Sequence, residues 1–201
     1  MGSKNVNWLK ISGVSGILAP IVAFTFILLA IALSPQFSWT GNALSDLGVQ
    51  EGVTAILFNS GLVIGGILAL VFASGLFVLQ KTMLARIGVF IFVLAALAFM
   101  AIGVFSENVE PTHYYVSVTF FVLFPISMLV IGAAFLLTAK LKMGFFTFLT
   151  AIVAALVWAI HWTIGFGSNV AIPETLSALS ASIWLMVLGF KMLREASQSH
   201  N

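Results

Sequence analysis

Long runs of apolar residues alternate with short polar connections along the whole chain. Six runs hold about 20 or more residues with hardly a charge, which is the length a helix needs to cross roughly 30 Å of hydrocarbon. Because a backbone inside lipid must satisfy its own hydrogen bonds, each run is predicted to be helical despite its β-branched and aromatic residues. The predicted helices cover Ile11–Leu33, Thr54–Leu79, Leu84–Phe105, Tyr115–Ala139, Met143–Phe166 and Ile172–Met192.

Composition supports the same class of protein. Of 201 residues, 61% are hydrophobic and 7% are charged, whereas a soluble domain carries about 25% charged residues. So few polar side chains could not cover the surface of a water-soluble fold. We therefore predict one all-α domain, a polytopic integral membrane protein built as a six-transmembrane-helix bundle. The chain contains no cysteine, and its net charge of +2 without a dense basic run argues against a nucleic-acid partner.

The charges predict how the bundle is oriented. All eight basic residues fall at the ends of helices that the alternation places on one side: Lys4, Lys10, Lys81, Arg86, Lys140, Lys142, Lys191 and Arg194. The positive-inside rule makes that side cytoplasmic. We therefore expect a multi-pass protein of the cell (plasma) membrane with both termini in the cytoplasm. Five of the six acids lie on the opposite, extracytoplasmic side: Asp46, Glu51, Glu107, Glu110 and Glu174.

The first extracytoplasmic connection is the longest. It covers residues 34–53, long enough to fold over part of the bundle, and we expect it to act as a lid. Within it, Trp39–Gly48 is predicted to form a short turn of helix bounded by Gly41 and Gly48.

Small residues at four-residue spacing mark two predicted helices. They are Gly61, Gly65, Ala69 and Ala73 in the second helix, and Ala151, Ala155 and Ala159 in the fifth. Small side chains let helix backbones approach closely in a membrane. Contact within one bundle is the favoured interpretation, and a homo-oligomer interface is the alternative. Trp184 departs from the interfacial pattern of the other tryptophans and is expected inside the bundle.

Polar side chains from several helices converge at the extracytoplasmic end. Candidate catalytic residues are Ser45, Asp46, His113 and His161; candidate metal ligands are His113, His161, Asp46 and Glu174; candidate substrate-binding residues are Asn42, Asn59, Glu107, Glu110 and Trp162. His161 lies about one turn inside the membrane, where polar groups face the bundle interior or a wet cavity. Imidazole and carboxylate groups can hold a divalent metal such as zinc.

Each candidate also has a purely structural interpretation. His161 can pack against a neighbouring helix, and His113 can lie at the interface beside Tyr114. Ser45 and Asp46 can cap a local turn. Glu174 in the first turn of a helix complements the helix dipole.

Two short motifs carry a resemblance to a known family. Asn42-Ala-Leu-Ser-Asp-Leu-Gly48 and Leu57-Phe-Asn-Ser-Gly-Leu62, with His113 and the pair His161-Trp162, resemble the archaeal and bacterial membrane proteins of domain of unknown function family 998. That resemblance implies a membrane fold and no established activity. A more distant likeness is to Frag-like and alkaline-ceramidase-type lipid-remodelling proteins. The ceramidase type uses a Ser, an Asp and three His at a zinc site, and here the third histidine is missing.

Three functions remain open at this point. The first is a lipid-active hydrolase or acyltransferase with membrane lipids as partners, in which a metal held by His113, His161 and a carboxylate would activate water. The second is a non-catalytic component that binds a lipid or a partner protein through residues 34–53. The third is a carrier or channel for a neutral solute, which is disfavoured because the predicted helices hold no charge near the midplane.

Overall fold

The computed structural model describes residues 3–198, and within that range it contains six long α-helices. They are α1 (Ser3–Ala32), α2 (Val53–Leu79), α3 (Met83–Val104), α4 (Thr112–Leu137), α5 (Leu141–Thr163) and α6 (Ala171–Gln198). All six are long and apolar enough to cross a membrane. The prediction of an all-α, six-helix membrane protein is therefore confirmed.

Most helix ends fall within three residues of the predicted positions. The two exceptions lie beside the chain termini, where α1 begins at Ser3 and α6 continues to Gln198. The prediction placed these ends at Ile11 and Met192, where the apolar runs stop. A helix does not have to end where hydrophobicity ends, because its polar terminal turns can extend into water.

The helices form a closed ring. Each helix packs against the next one in the chain, and α6 also packs against α1. At the α1–α6 contact the backbones almost touch, since a Cβ atom on Gly189 would lie 2.7 Å from the carbonyl oxygen of Gly13. The outside of the ring carries large exposed apolar side chains such as Ile56, Leu137 and Phe145, as expected for a surface in contact with lipid.

Aromatic side chains fill the middle of the ring. Trp184 is fully buried, and its indole N–H donates to the hydroxyl of Thr147 at 3.1 Å. Its ring centroid lies 5.6 to 6.2 Å from those of Phe72, Phe92 and Phe124. The expectation that Trp184 lies inside the bundle is confirmed.

The small residues of α2 serve packing within the chain. A Cβ atom on Gly61 would lie 2.4 Å from a side-chain atom of Phe26, and one on Gly65 would lie 3.1 Å from Ala23, so this stripe faces α1. In α5, Ala151 is buried but Ala155 and Ala159 are exposed. An oligomer contact through α5 stays a prediction.

The five connections between the helices divide between the two ends of the ring. The acidic end holds the connections 33–52, 105–111 and 164–170, which touch one another. The basic end holds the connections 80–82 and 138–140 and the last turns of α6. All the acids except Glu195, which lies at the basic end, are thus separated from the bases by the length of the helices.

Candidate functional site

The connection 33–52 folds back onto the bundle at the acidic end. Its only regular element is a short 3₁₀ helix at Ser45–Val49, in which Leu47 is fully buried. The side-chain amide of Asn59 in α2 donates to the carbonyl of Gly48 at 2.9 Å. The amide of Gln50 donates to the hydroxyl of Ser34 at 2.7 Å and ties the two ends of the connection together.

The prediction placed a short turn of helix within Trp39–Gly48. The structure has this turn later in the chain, as the 3₁₀ helix at Ser45–Val49, so the predicted position is wrong. The Asn42 side chain accepts a hydrogen bond from the backbone N–H of Ser38 at 2.9 Å, and the N–H of Asn42 itself donates to the carbonyl of Ser38. These local bonds make a tight turn before the 3₁₀ helix. An asparagine side chain often replaces helical hydrogen bonding in this way.

The connection 164–170, between α5 and α6, is hydrogen-bonded to the connection 33–52. The carbonyl of Thr40 accepts from the backbone N–H of Ser168 at 2.8 Å and from that of Asn169 at 3.2 Å. The N–H of Ala171, the first residue of α6, donates to the carbonyl of Asn42 at 3.0 Å. The connection predicted as a lid is therefore fastened to the start of α6, and its opening stays a prediction.

Three acidic side chains from three different parts of the chain lie near one another at this end of the bundle and interact electrostatically. Asp46 accepts from the side-chain amide of Asn42 at 2.5 Å and from the N–H of Ala43 at 3.1 Å. Glu174, which is 9% exposed, accepts from the N–H of Leu44 at 2.7 Å. We call Asp46, Glu107 and Glu174 the carboxyl cluster.

Glu107 reaches the cluster from the connection between α3 and α4. Its carboxyl group faces that of Asp46 and the hydroxyl of Ser45. Burial, followed by the neighbouring Asp46, raises the pKa of Glu107 to about 7. Within the described part of the chain its buried Oε2 has no hydrogen-bond donor, and protonation of Glu107 would turn the contact with Asp46 into a hydrogen bond. The pair can therefore hold or release a proton near neutral pH.

The two candidate histidines have separate local surroundings. His113 is buried, and its Nδ1 lies 2.7 Å from the carbonyl oxygen of Phe105, an acceptor that requires the proton on Nδ1. His161 stacks on Phe166 at 6.2 Å between centroids and has edge contacts with Trp158 and Trp162. Its buried Nδ1 has no hydrogen-bond partner among the residues that the structure describes.

These surroundings do not form a metal ligand set. Among residues 3–198, no group of three or more His, Cys, Asp or Glu side chains is arranged to hold a metal ion. The prediction grouped His113, His161, Asp46 and Glu174 by depth in the membrane. Residues at the same depth can still point in different directions, because depth does not determine which way each helix directs its side chains.

The remaining predicted substrate-binding residues differ in accessibility. Glu110 is exposed, and so is Trp162, at 74%. Asn59 is half-buried with its Oδ1 lacking a partner, next to Gly48. Asn42 holds Asp46 in place, as described above.

An apolar cavity of about 70 Å³ lies under the connection 33–52 inside the bundle. At about 10 to 15 Å³ for each water-sized group, it has room for about five such groups. Its wall is formed by small side chains of α1, α2 and α6, by aromatic side chains of α3 and α4, and by Leu44. The lining residues of α1 and α6 are Ala19, Pro20, Ala23, Phe24, Ile27, Ala178, Ala181, Ser182 and Leu185.

The cavity and the carboxyl cluster share one helix face and one residue. Ala178, Ala181 and Leu185 follow Glu174 by four, seven and eleven residues, so all four lie on the same side of α6. Leu44 lines the cavity with its side chain and donates its N–H to Glu174. Sequence reasoning missed this cavity, because alanines in α1 and α6 give no signal until the helices are placed around a common space.

Comparison with known proteins places the chain in a family. A family model described as "Protein of unknown function (DUF998)" matches residues 17–191. Comparisons with curated proteins and with solved structures find no significant match. The match covers both motifs that carried the resemblance, most of the bundle, all three members of the carboxyl cluster and the whole cavity lining. The chain therefore belongs to the DUF998 family of proteins of unknown function.

Proposed function

We propose that the protein binds a membrane lipid at its acidic end, with part of an acyl chain in the cavity and the polar head group beside the carboxyl cluster. The observation that carries this proposal is the position of Leu44. This residue lines an apolar space with its side chain and is hydrogen-bonded to a buried carboxyl group through its backbone. One site thus offers both surfaces that an amphiphilic molecule needs.

The dimensions of the cavity suit an acyl chain. Its wall on α1 runs from Ala19 to Ile27, which is roughly 12 Å along the helix axis and most of the roughly 15 Å depth of one leaflet. The lining is almost wholly apolar. The hydroxyl of Ser182 already donates to the carbonyl of Ala178, so it does not need water.

The carboxyl cluster favours a head group that donates hydrogen bonds. Ionised carboxylates only accept hydrogen bonds, so an amine or a hydroxyl-rich head is the complementary chemistry. A phosphate or carboxylate head would instead bring further hydrogen-bond acceptors against the oxygens of Asp46 and Glu174. With the basic end in the cytoplasm, the bound lipid would come from the outer leaflet of the plasma membrane.

Binding is better supported than transport. A carrier or channel needs a path through both leaflets, and the rings of Phe72, Phe92, Phe124 and Trp184 fill the middle of the bundle. The cavity stops above this aromatic layer.

Mass spectrometry of lipids that co-purify with the protein tests the proposal. Ala181→Leu fills the cavity with about three methylene-sized groups, and at about 0.8 kcal/mol each the affinity for the lipid falls by more than tenfold. Ala155→Leu is the matched control, because Ala155 is exposed on α5, and it should retain the lipid. An unchanged lipid in Ala181→Leu, or no lipid above that of empty micelles in the wild type, would contradict the proposal.

A lipid hydrolase is a second candidate, favoured by the pair Asp46 and Glu107. Asp46 is held as an acceptor by two N–H groups while the pKa of Glu107 is raised to about 7, and such a division provides a base and an acid. Asp46 would take a proton from the water that attacks a lipid ester, and Glu107 would give one to the departing alcohol. Fatty-acid release from nanodisc lipids should be abolished by Asp46→Asn and unaffected by a metal chelator; release that persists in Asp46→Asn would exclude this mechanism.

A further inference from the structure

A second, smaller pocket lies at the basic end of the bundle, far from the carboxyl cluster. It has a volume of about 30 Å³, room for about two water-sized groups. Helices α2, α4 and α6 and the connection before α5 form its wall. Its lining residues are Leu76, Leu79, Gln80, Phe135, Lys140, Leu188, Lys191, Met192 and Glu195.

Two lysines of this pocket lie over the same aromatic ring. The ammonium nitrogen of Lys140 is 5.7 Å from the ring centroid of Phe135, and that of Lys191 is 5.6 Å from it. Among the described residues, neither lysine has a carboxylate within ion-pair distance. Both ammonium groups therefore lie against one aromatic ring, which does not neutralise their charge.

The third polar group of the pocket is buried. Gln80 follows the last turn of α2 and is only 7% exposed. Its backbone N–H caps the helix, and its carbonyl accepts from Arg86 at 3.2 Å. Its side-chain amide lines the pocket and makes no hydrogen bond within the described part of the chain. Its two amide N–H groups can therefore donate to an acceptor that is not part of the chain.

Two ammonium groups and an amide are hydrogen-bond donors that converge on a space for about two oxygen atoms. We propose that this pocket binds the phosphate group of an anionic membrane lipid from the leaflet at the basic end. The apolar part of the wall, Leu79, Leu188 and Met192, lies in the last turns of membrane-spanning helices, so the pocket stands at the depth of lipid head groups. Basic pockets between helices on the positive side of a membrane protein are suited to such heads.

Glu195 sets a limit on the charge that the pocket accepts. It lines the same pocket one turn beyond Lys191 and is the negative neighbour of that lysine. With two positive charges and one negative charge, the pocket favours a head group with a single net negative charge, such as a phosphodiester. Removal of the Glu195 charge should strengthen the binding of every phosphate lipid.

Native mass spectrometry of delipidated protein with defined lipids tests the assignment. The wild type should retain phosphatidylglycerol in preference to phosphatidylcholine. A lysine that lies against the head group contributes about fivefold to the affinity for an anionic lipid, so Lys140→Gln with Lys191→Gln should lower retention of phosphatidylglycerol by about 25-fold. Lys81→Gln with Lys142→Gln removes the same charge at the same end outside the pocket and should lower it by less than about threefold.

The other outcomes also decide the question. Glu195→Gln should raise retention of phosphatidylglycerol, a gain that misfolding cannot produce. Equal retention of the two lipids by the wild type, or an equal loss in both double variants, would overturn the proposal. Displacement of phosphatidylglycerol by millimolar glycerol phosphate would assign the pocket to a soluble phosphate instead of a lipid.

Discussion

At the scale of single residues, the three carboxyl groups of the acidic end have different surroundings. Asp46 has two N–H donors, Glu174 has one, and the buried Oε2 of Glu107 has none. Carboxylates are stabilised by donors and destabilised by burial and by like charge. The pKa of Glu107 is raised to about 7, so Glu107 can hold a proton near neutral pH.

The stability of the protein should depend on pH through Glu107. Its pKa rises from 4.5 to about 7 on folding, so between these two values the folded protein binds more protons than the unfolded chain. Stability contributed by this group is complete below about pH 4.5 and decreases as pH rises towards 7. The melting temperature of the wild type, relative to that of Glu107→Gln, should fall between pH 5 and pH 8.

Glu110→Gln serves as the control for that measurement, because Glu110 is an exposed acid of the same connection. This variant should keep the pH dependence of the wild type. If Glu107→Gln also keeps the pH dependence of the wild type, the proton responsible for that dependence is held by another group.

At the scale of elements, two connections and one helix start form the roof of the cavity. Residues 38–42 hydrogen-bond to residues 168–171, and the 3₁₀ helix at Ser45–Val49 packs on α2. Neither connection has enough regular structure to hold its shape alone. Their shared hydrogen bonds make the roof a single unit fastened to α6.

A methyl group between the two connections should loosen this roof. A Cβ atom at Gly167 would lie 2.5 Å from the carbonyl oxygen of Thr40, the atom that accepts the bonds from Ser168 and Asn169. Gly167→Ala should destabilise the protein by about 1 to 3 kcal/mol and speed amide hydrogen exchange in residues 38–44. Thermal unfolding and hydrogen exchange by mass spectrometry would measure both effects.

Gly165→Ala separates the steric effect from backbone strain. Gly165 also has a positive φ, +86°, but a Cβ atom there would meet nothing closer than 4.0 Å. The variant should lose stability through its φ alone and leave exchange in residues 38–44 unchanged. Equal exchange in the two variants would mean that the contact with Thr40 does not hold the roof.

At the scale of the whole molecule, the ring has two unlike ends and an apolar outer surface. The carboxyl cluster lies beside an apolar cavity at one end, and lysines line a smaller pocket at the other. The aromatic layer around Trp184 separates the two sites. The two sites therefore lie at opposite ends of the ring.

Single-cysteine labelling should establish which leaflet each end meets. The chain has no cysteine, so Gln36→Cys at the acidic end and Lys142→Cys at the basic end each introduce one thiol. On intact cells, a membrane-impermeant maleimide should label Gln36→Cys at once and Lys142→Cys only after permeabilisation. The reverse pattern would put the cavity in the inner leaflet.

The sequence by itself determined the helices, their number, their order and the separation of acidic from basic ends. These features follow from local chemistry, because an apolar run in lipid has no alternative to the helix and because basic residues such as Lys81 and Lys140 mark one end of each pair of helices. It also brought Asp46, Glu107 and Glu174 to one end of the bundle, since the alternation of spanning helices decides which end each connection occupies.

Only the tertiary structure decided which of these residues touch. Contact depends on how each helix is rotated and on how closely it approaches its neighbours, which close packing such as Gly13 against Gly189 fixes across the ring. That packing brought three carboxyl groups together and gave His113 and His161 separate surroundings. It also left the cavity under Leu44 and the space beside Phe135. The sequence pattern could not predict these two spaces, because their walls come from helices far apart in the chain.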